Sequence, residues 1–524
     1  ELGPDCLNLF EGMFALAVWD KRNRSLFAAR DRFGKKPFYY TLQNGVLAFA
    51  SELTAFLPLP FLKLELDRRN MARFLAYEHV PTPDSIYQNV YKLRPGHYLT
   101  YHQGSLATNR YWDLPVPALR TEMKEPEIKE RLLFLASRAV KRRLVSDVPL
   151  GVFLSGGLDS SAVVALMSEH LSGREIKTFN IGFEEAGYDE SPYARLVART
   201  FGTDHHEEIL SAAGAGELLP EIVQRLDEPL ADPSVVPTYL LSRLTRRSVT
   251  VALGGDGGDE LFAGYGFFPG FLLSENFLRL PQWLRGHIIA PLAGRLPLSF
   301  WHTNPRHEAV KFISIMQKPR WLRTQMWLGA FRPEALAGLL LHPPFSAEDI
   351  DGLYASTKDL YSGFPASRPR DRVLYLTARQ FLLDFVMVKV DRCSMMHSLE
   401  VRAPFLDRDL VEFAFALPVS LKLRYFRRKY ILKKALRHLL PDRIIRRKKK
   451  GFLIPTGLWL KGALKPMAEE FFDPGFLKRQ GLFRPEMVQR LLEEHNRGWA
   501  DNWRELWTLL VLQLWLSQHR PAIV

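Results

Sequence analysis

Residues 148–161 read VPLGVFLSGGLDSS. An apolar run with strand character passes through a turn of small residues into AVVALM, which has helical character. Strand, Gly-rich turn and helix in that order bring backbone N–H groups to a helix N-terminus, where they can hold an anion. The rhythm continues downstream. IKTFNIGF, HHEEIL and SVTVALGG read as strands, and SPYARLVARTFG, ELLPEIVQRL and VPTYLLSRLTRR as helices. Strands alternating with helices predict a parallel sheet covered on both faces. Ligands of such sheets bind beyond the carboxyl ends of the strands. A second Gly-rich turn, LGGDGGDELFAGY at 253–265, also follows a strand, so both turns are expected to face one crevice.

The chemistry of the first turn is unusual for a phosphate loop. A Walker-type loop, GxxxxGK[ST], needs a Lys that reaches the terminal phosphates, and SGGLDSS has none. Gly156 and Gly157 permit close approach of the backbone, and Ser155, Ser160 and Ser161 add hydroxyl donors. Asp159 would repel a phosphate unless a cation lay between them, and Mg²⁺ takes one or two carboxylates together with phosphate oxygens. These features suit a departing pyrophosphate rather than transfer of a terminal phosphoryl group. The plainer reading is an ordinary Gly/Ser turn, which a bare SGG would favour. In the second turn Asp256, Asp259 and Glu260 crowd together, which capping alone does not require.

Bulk composition sets the frame. The chain has 524 residues, enough for two or more domains, with 47% hydrophobic and 24% charged residues as in soluble globular proteins. No apolar run reaches membrane-spanning length; HIIAPLAGRLPLSFW is short and carries Arg295. Two distant cysteines, Cys6 and Cys393, fit a reducing, cytoplasmic setting and argue against a cysteine zinc cluster. The net charge of +14 admits nucleic acid, an anionic membrane or a phosphorylated substrate as partner. His205 and His206 are adjacent on a strand, point to opposite faces and are expected to be structural.

The first part of the chain is β-rich: MFALAVWD, SLFAARD, PFYYTL and VLAFAS are short apolar runs, and HYLTYHQGSLATNRYW reads as a hairpin turning at Gln103-Gly104. Pro115 and Pro117 mark a linker, followed by a helix in EPEIKERLLFLASRAVKRRLVSD. From Phe267 onward the chain is expected to be mostly helical. The predicted division is 1–114 and 115–524.

The pyrophosphate loop resembles that of the N-type ATP pyrophosphatases. The wider set FNIGFEEAGYDESPYARLVARTFGTDHHEEIL, DEPLADPSVVPTYLLSRL, GGDGGDELFAGY, KVDRCSMMHSLEVRAPFLD and RRKKKGFLIP resembles, in order, the asparagine synthetase family of glutamine-hydrolysing type. FEGMFALAVWD, LFAARDRFGKKPFYY and FASELTAFL resemble the back half of that family's glutaminase domain. The resemblance implies an α/β fold: a parallel-sheet ATP-pyrophosphatase domain with helical additions, preceded by a partial β-rich Ntn-type glutaminase domain lacking its catalytic front. That front would carry an N-terminal Cys nucleophile, which Cys6 is not, so the chain as it stands is expected not to hydrolyse glutamine.

The resemblance also implies roles. Asp159 and Asp259 would share Mg²⁺, Gly254 and Gly255 would line the nucleotide, and Asp256, where some members carry Glu, would support adenylate formation. Lys449, three residues before Phe452, would contact ATP at the α-phosphorus. Phe153 and Ile181 would touch adenine, although core packing explains them equally well. Arg446, Arg447, Lys448 and Lys450 are expected at solvated surface. The implied reaction is ATP-dependent conversion of aspartate to asparagine through β-aspartyl-AMP, with small-molecule substrates, no nucleic-acid or membrane partner, and a homodimer allowed. A paralogue amidating a sugar acid or peptidyl acid would share the same loop. A tRNA-binding relative would want a Cys pair or zinc cluster, and a non-catalytic protein would want the Asp and Lys positions lost.

Overall fold

The computed structural model describes residues 2–118, 120–171, 176–289, 291–292, 295, 305–366, 368–448, 451 and 454–522. Its centre is a five-stranded parallel sheet built from β8 (Leu150–Phe153), β9 (Lys177–Phe183), β10 (Asp204–Leu210), β11 (Val251–Leu253) and β12 (Glu400–Arg402). The strand order is β10-β9-β8-β11-β12. Chain order therefore reverses between β8 and β11, which pair directly with Val251 opposite Leu150. The crevice at such a reversal is where doubly wound sheets take their ligands.

Helices cover both faces. They include α2 (Glu125–Arg143), α3 (Leu158–His170), α4 (Ser191–Phe201), α5 (Ala212–Gln224) and α6 (Val235–Arg246). Residues 159–167 of α3 are all buried, which matches its lack of a polar face. The C-terminal helix Trp503–His519 is likewise buried from Leu506 to Leu516 and carries the enclosed rings of Trp507 and Trp515.

The amino-terminal strands form two antiparallel sheets. One has the order β1-β2-β6-β7 (Ala15–Asp20, Ser25–Arg30, His97–His102, Ser105–Arg110), the other β4-β3-β5 (Val46–Ala50, Tyr39–Gln43, Tyr91–Lys92). Leu26, Ala28, Phe38, Leu93 and Leu99 form a small core between them. The expected hairpin is present: β6 and β7 meet at Gln103 and Gly104, both with positive φ (48° and 81°), the conformation of a two-residue turn that follows the strand twist.

Charged side chains tie this region to the helix Met387–Met395. Lys36 Nζ lies 2.8 Å from Asp391, and Arg392 reaches Asp227 at 2.5 Å while donating to the Ser51 carbonyl at 2.9 Å. Among the described residues no helix is long and apolar enough to cross a membrane.

Candidate active site

The two Gly-rich turns leave the adjacent strands β8 and β11 on the same side of the sheet and line one cleft of about 1110 Å³. Close packing makes them a single surface. A Cβ on Gly255 would lie 2.8 Å from the Ser160 nitrogen, and one on Gly258 would lie 2.5 Å from Asp159 Oδ1. Only glycine lets the second turn press against the first. Gly156 is needed twice over: its φ is +66°, and a Cβ there would stand 2.4 Å from the Tyr193 carbonyl carbon.

Within the first turn the Ser155 and Ser160 hydroxyls lie 3.2 Å apart, and the Gly157 N–H donates to Ser155 Oγ at 3.3 Å. Ser155, Gly157, Asp159 and Ser160 line the cleft, and so do Gly254, Gly255, Asp256 and Asp259 of the second turn. Gly156 and Ser161 do not. Gly156 backs onto Tyr193, and Ser161 is fully buried on the next step around α3, with its hydroxyl unpartnered. Phe153 is the last residue of β8. Ile181 lies inside β9 rather than at its end, yet both residues line the cleft.

Asp159 and Asp259 converge on one cation, and in the structure that cation is Lys429. Its ammonium pairs with Asp159 Oδ2 and lies 2.6 Å from Asp259 Oδ1, with the side chain only 4% exposed. Sequence reasoning missed Lys429, because one of three Lys in the strongly basic stretch LRYFRRKYILKK carries no distinguishing signal. Its setting is distinctive: Tyr425, Phe426 and Lys429 all have positive φ, a conformation costly for residues with a Cβ and concentrated at functional sites. Gly264 makes room for it, since a Cβ there would stand 2.2 Å from Lys429 Cε.

Asp256 lies further along the cleft, where desolvation pushes its carboxyl above the usual range against the pull of Lys389. Lys389 is held by Asp232 at 3.0 Å and Ser234 Oγ at 2.8 Å. Glu260, enclosed behind Asp259, is pushed up to about 7, first by burial and then by Asp259, and accepts the Tyr265 hydroxyl.

The basic run divides. Arg446 and Lys448 are exposed as expected. Arg447 is not: its side chain is 8% exposed and pairs with Glu190 beside the first turn. Contact with the Ser155 and Gly156 carbonyls outweighs hydration there, which corrects the solvated-surface expectation. Lys449, Lys450 and Phe452 lie outside the described residues. His205 Nδ1 is 2.9 Å from Thr178 Oγ1, whereas His206 stacks on Phe179 at 5.2 Å, so the two rings serve separate packing roles.

The crevice at the β8–β11 reversal thus combines a hydroxyl-rich turn that lacks a P-loop Lys with two carboxylates that share the Lys429 ammonium. Residues 132–517 match the asparagine synthase family, and residues 1–112 match the glutamine amidotransferase domain. The chain belongs to the asparagine synthase family. It is 31% identical over 513 residues to asparagine synthetase [glutamine-hydrolyzing] 1 of Bacillus subtilis, covering 97% of this chain and 77% of that protein. A putative asparagine synthetase [glutamine-hydrolyzing] of Mycobacterium bovis is 33% identical over 98% of this chain and 77% of its own length. The amidase chry2 of Gibberella zeae is 29% identical over 94% of this chain and 76% of its own length. Family membership makes the chain an ATP-dependent amidotransferase-type ligase with a glutaminase-like β-rich region and a parallel-sheet region.

Proposed function

We propose that this chain is the synthetase part of an asparagine synthase (glutamine-hydrolysing), forming asparagine from aspartate with AMP and pyrophosphate as by-products. Ammonia would come from glutamine hydrolysis. The observation that supports the reading best is the convergence of Asp159, Asp259 and Lys429 beside the Ser155–Ser160 turn.

The turn binds and orients the β- and γ-phosphates through backbone N–H groups and the Ser155 and Ser160 hydroxyls. Lys429 adds a fixed positive charge where negative charge accumulates as pyrophosphate leaves. The donor set fits Mg²⁺: two carboxylates already close enough to share one cation, with room for phosphate oxygens to complete the shell. Asp159 and Asp259 would hold it, and when bound it neutralises the polyphosphate. Lys449 is assigned to the α-phosphate and Asp256 to adenylate formation. Phe153 and Ile181 are assigned to the adenine, and Gly254 and Gly255 to the bound nucleotide and intermediate.

The β-carboxylate oxygen of aspartate attacks the α-phosphorus, and the bond to pyrophosphate breaks. Ammonia then displaces AMP from the acyl carbon. Adenylation supplies the good leaving group, and ammonia rather than water must reach the acyl carbon. The division 1–114 and 115–524 and a cytoplasmic location belong to the same proposal, as do small-molecule substrates without nucleic acid or membrane.

A second reading, amidation of a different carboxylate, is favoured by one observation: relatives named as amidases align over most of the chain. Amide formation from ammonium and ATP separates the two. Aspartate is expected to exceed glutamate in kcat/KM by about 10- to 100-fold, the discrimination one methylene permits. No aspartate-dependent pyrophosphate release, in protein that binds ATP with Mg²⁺, would leave only the second reading.

A further inference from the structure

Arg447 holds the first turn and the start of α4 at once. Its Nη1 donates to the Gly156 carbonyl at 2.8 Å and to the Ser155 carbonyl at 3.5 Å. Its Nη2 donates to Glu190. The guanidinium carbon sits 3.9 Å from the centre of the Tyr193 ring, and Tyr193 is the residue against which Gly156 is pressed. Arginine suits this position because one planar fork can bond two carbonyls and a carboxylate while stacking on a ring.

The consequence follows from peptide geometry. In a trans peptide the C=O and the next N–H point in opposite directions. Pinning the carbonyls of Ser155 and Gly156 on Arg447 therefore turns the N–H groups of Gly156 and Gly157 the other way. That direction is the side of the turn bearing the serine hydroxyls, as the Gly157 N–H bond to Ser155 Oγ at 3.3 Å attests. Gly156, with its positive φ, has the softest backbone in the turn, and without the pin it would have several orientations available.

We propose that Arg447 is a positioning residue for pyrophosphate: by holding the Ser155 and Gly156 carbonyls it locks the peptide planes of the turn, so that the Gly157 N–H stays on the side of the serine hydroxyls that line the cleft. The proposal rests on the reading of the turn as a pyrophosphate site. Burial brings Arg447 down to about 10, so the guanidinium stays charged through the working pH range and the pin is permanent. Two residues of the run thus have different fates: Arg446, 75% exposed at the edge of the cleft, pairs with Asp442, and its neighbour is buried against the loop.

The test is calorimetric binding of inorganic pyrophosphate with Mg²⁺ to the full chain, alongside steady-state kinetics with ammonium. Wild type should bind pyrophosphate, and Arg447→Met should bind it about tenfold or more weakly, as expected for loss of charge-assisted hydrogen bonds. KM for ATP should rise in parallel while KM for the acceptor stays within threefold. Arg447→Lys, which keeps the charge but loses the fork, should recover only part of the affinity. Arg199→Met, removing an exposed charge on α4 that does not line the cleft, should change affinity less than threefold. If wild type fails to bind pyrophosphate, the reading of the turn is wrong. If wild type binds and folded Arg447→Met binds equally well, with only its melting temperature lowered, the proposal is overturned and Arg447 is purely structural.

Discussion

Asp159→Asn is expected to lower acceptor-dependent pyrophosphate release on the order of 1,000-fold, the scale seen when a preorganised charge is removed from a reaction centre. The fold should survive. Asparagine has the shape of aspartate, so the packing of Gly255 and Gly258 against residue 159 is retained. Lys429 keeps Asp259 as partner at 2.6 Å, so no buried ammonium is orphaned. The lost function is the ability to share a cation with phosphate oxygens. Pyrophosphate release with ammonium as nitrogen source, measured beside the melting curve, checks both halves. Release close to wild type would remove Asp159 from the reaction.

Lys429→Met has a different signature. It removes from Asp159 and Asp259 the buried ammonium that pairs with both of them in a poorly hydrated site. Breaking a buried ion pair from one side costs about 3–5 kcal/mol. The variant should melt several degrees lower than wild type without divalent ion. Added Mg²⁺ binds the folded state alone and should recover much of that loss, and wild type should gain less from the same addition. Activity should fall by at least about 100-fold, because the fixed charge beside the leaving group is gone. Melting curves against Mg²⁺ concentration report the result without relying on turnover. A variant as stable as wild type and indifferent to Mg²⁺ would mean that the two carboxylates do not form a cation site.

Much of this was legible in the chain itself, and the reasons are local. The alternation from Val148 onward fixed four strands of the parallel sheet, because each strand ends in a glycine turn or precedes an amphipathic helix. The Gln103-Gly104 hairpin was legible because its turn residues must accept positive φ. The two Gly-rich turns announced a shared crevice, and the pairing of β8 with β11 provides one. Other features depend on contacts distant in sequence. β12 has three residues, Glu400–Arg402, too few for a period to register, and joins the sheet only by pairing with β11. Lys429 is an unremarkable cation until folding places it between acids at 159 and 259. Arg447 sits in a run that reads as solvated by composition, and only the approach of Glu190 and the Ser155–Gly156 carbonyls buries it.

Attack on the α-phosphorus by an acceptor carboxylate is the centre of the account, and oxygen labelling tests it most directly. Aspartate carrying ¹⁸O in its β-carboxylate, turned over with ATP, Mg²⁺ and ammonium, should give AMP bearing one labelled oxygen and pyrophosphate bearing none. Amide formed with unlabelled AMP would contradict an adenylate intermediate.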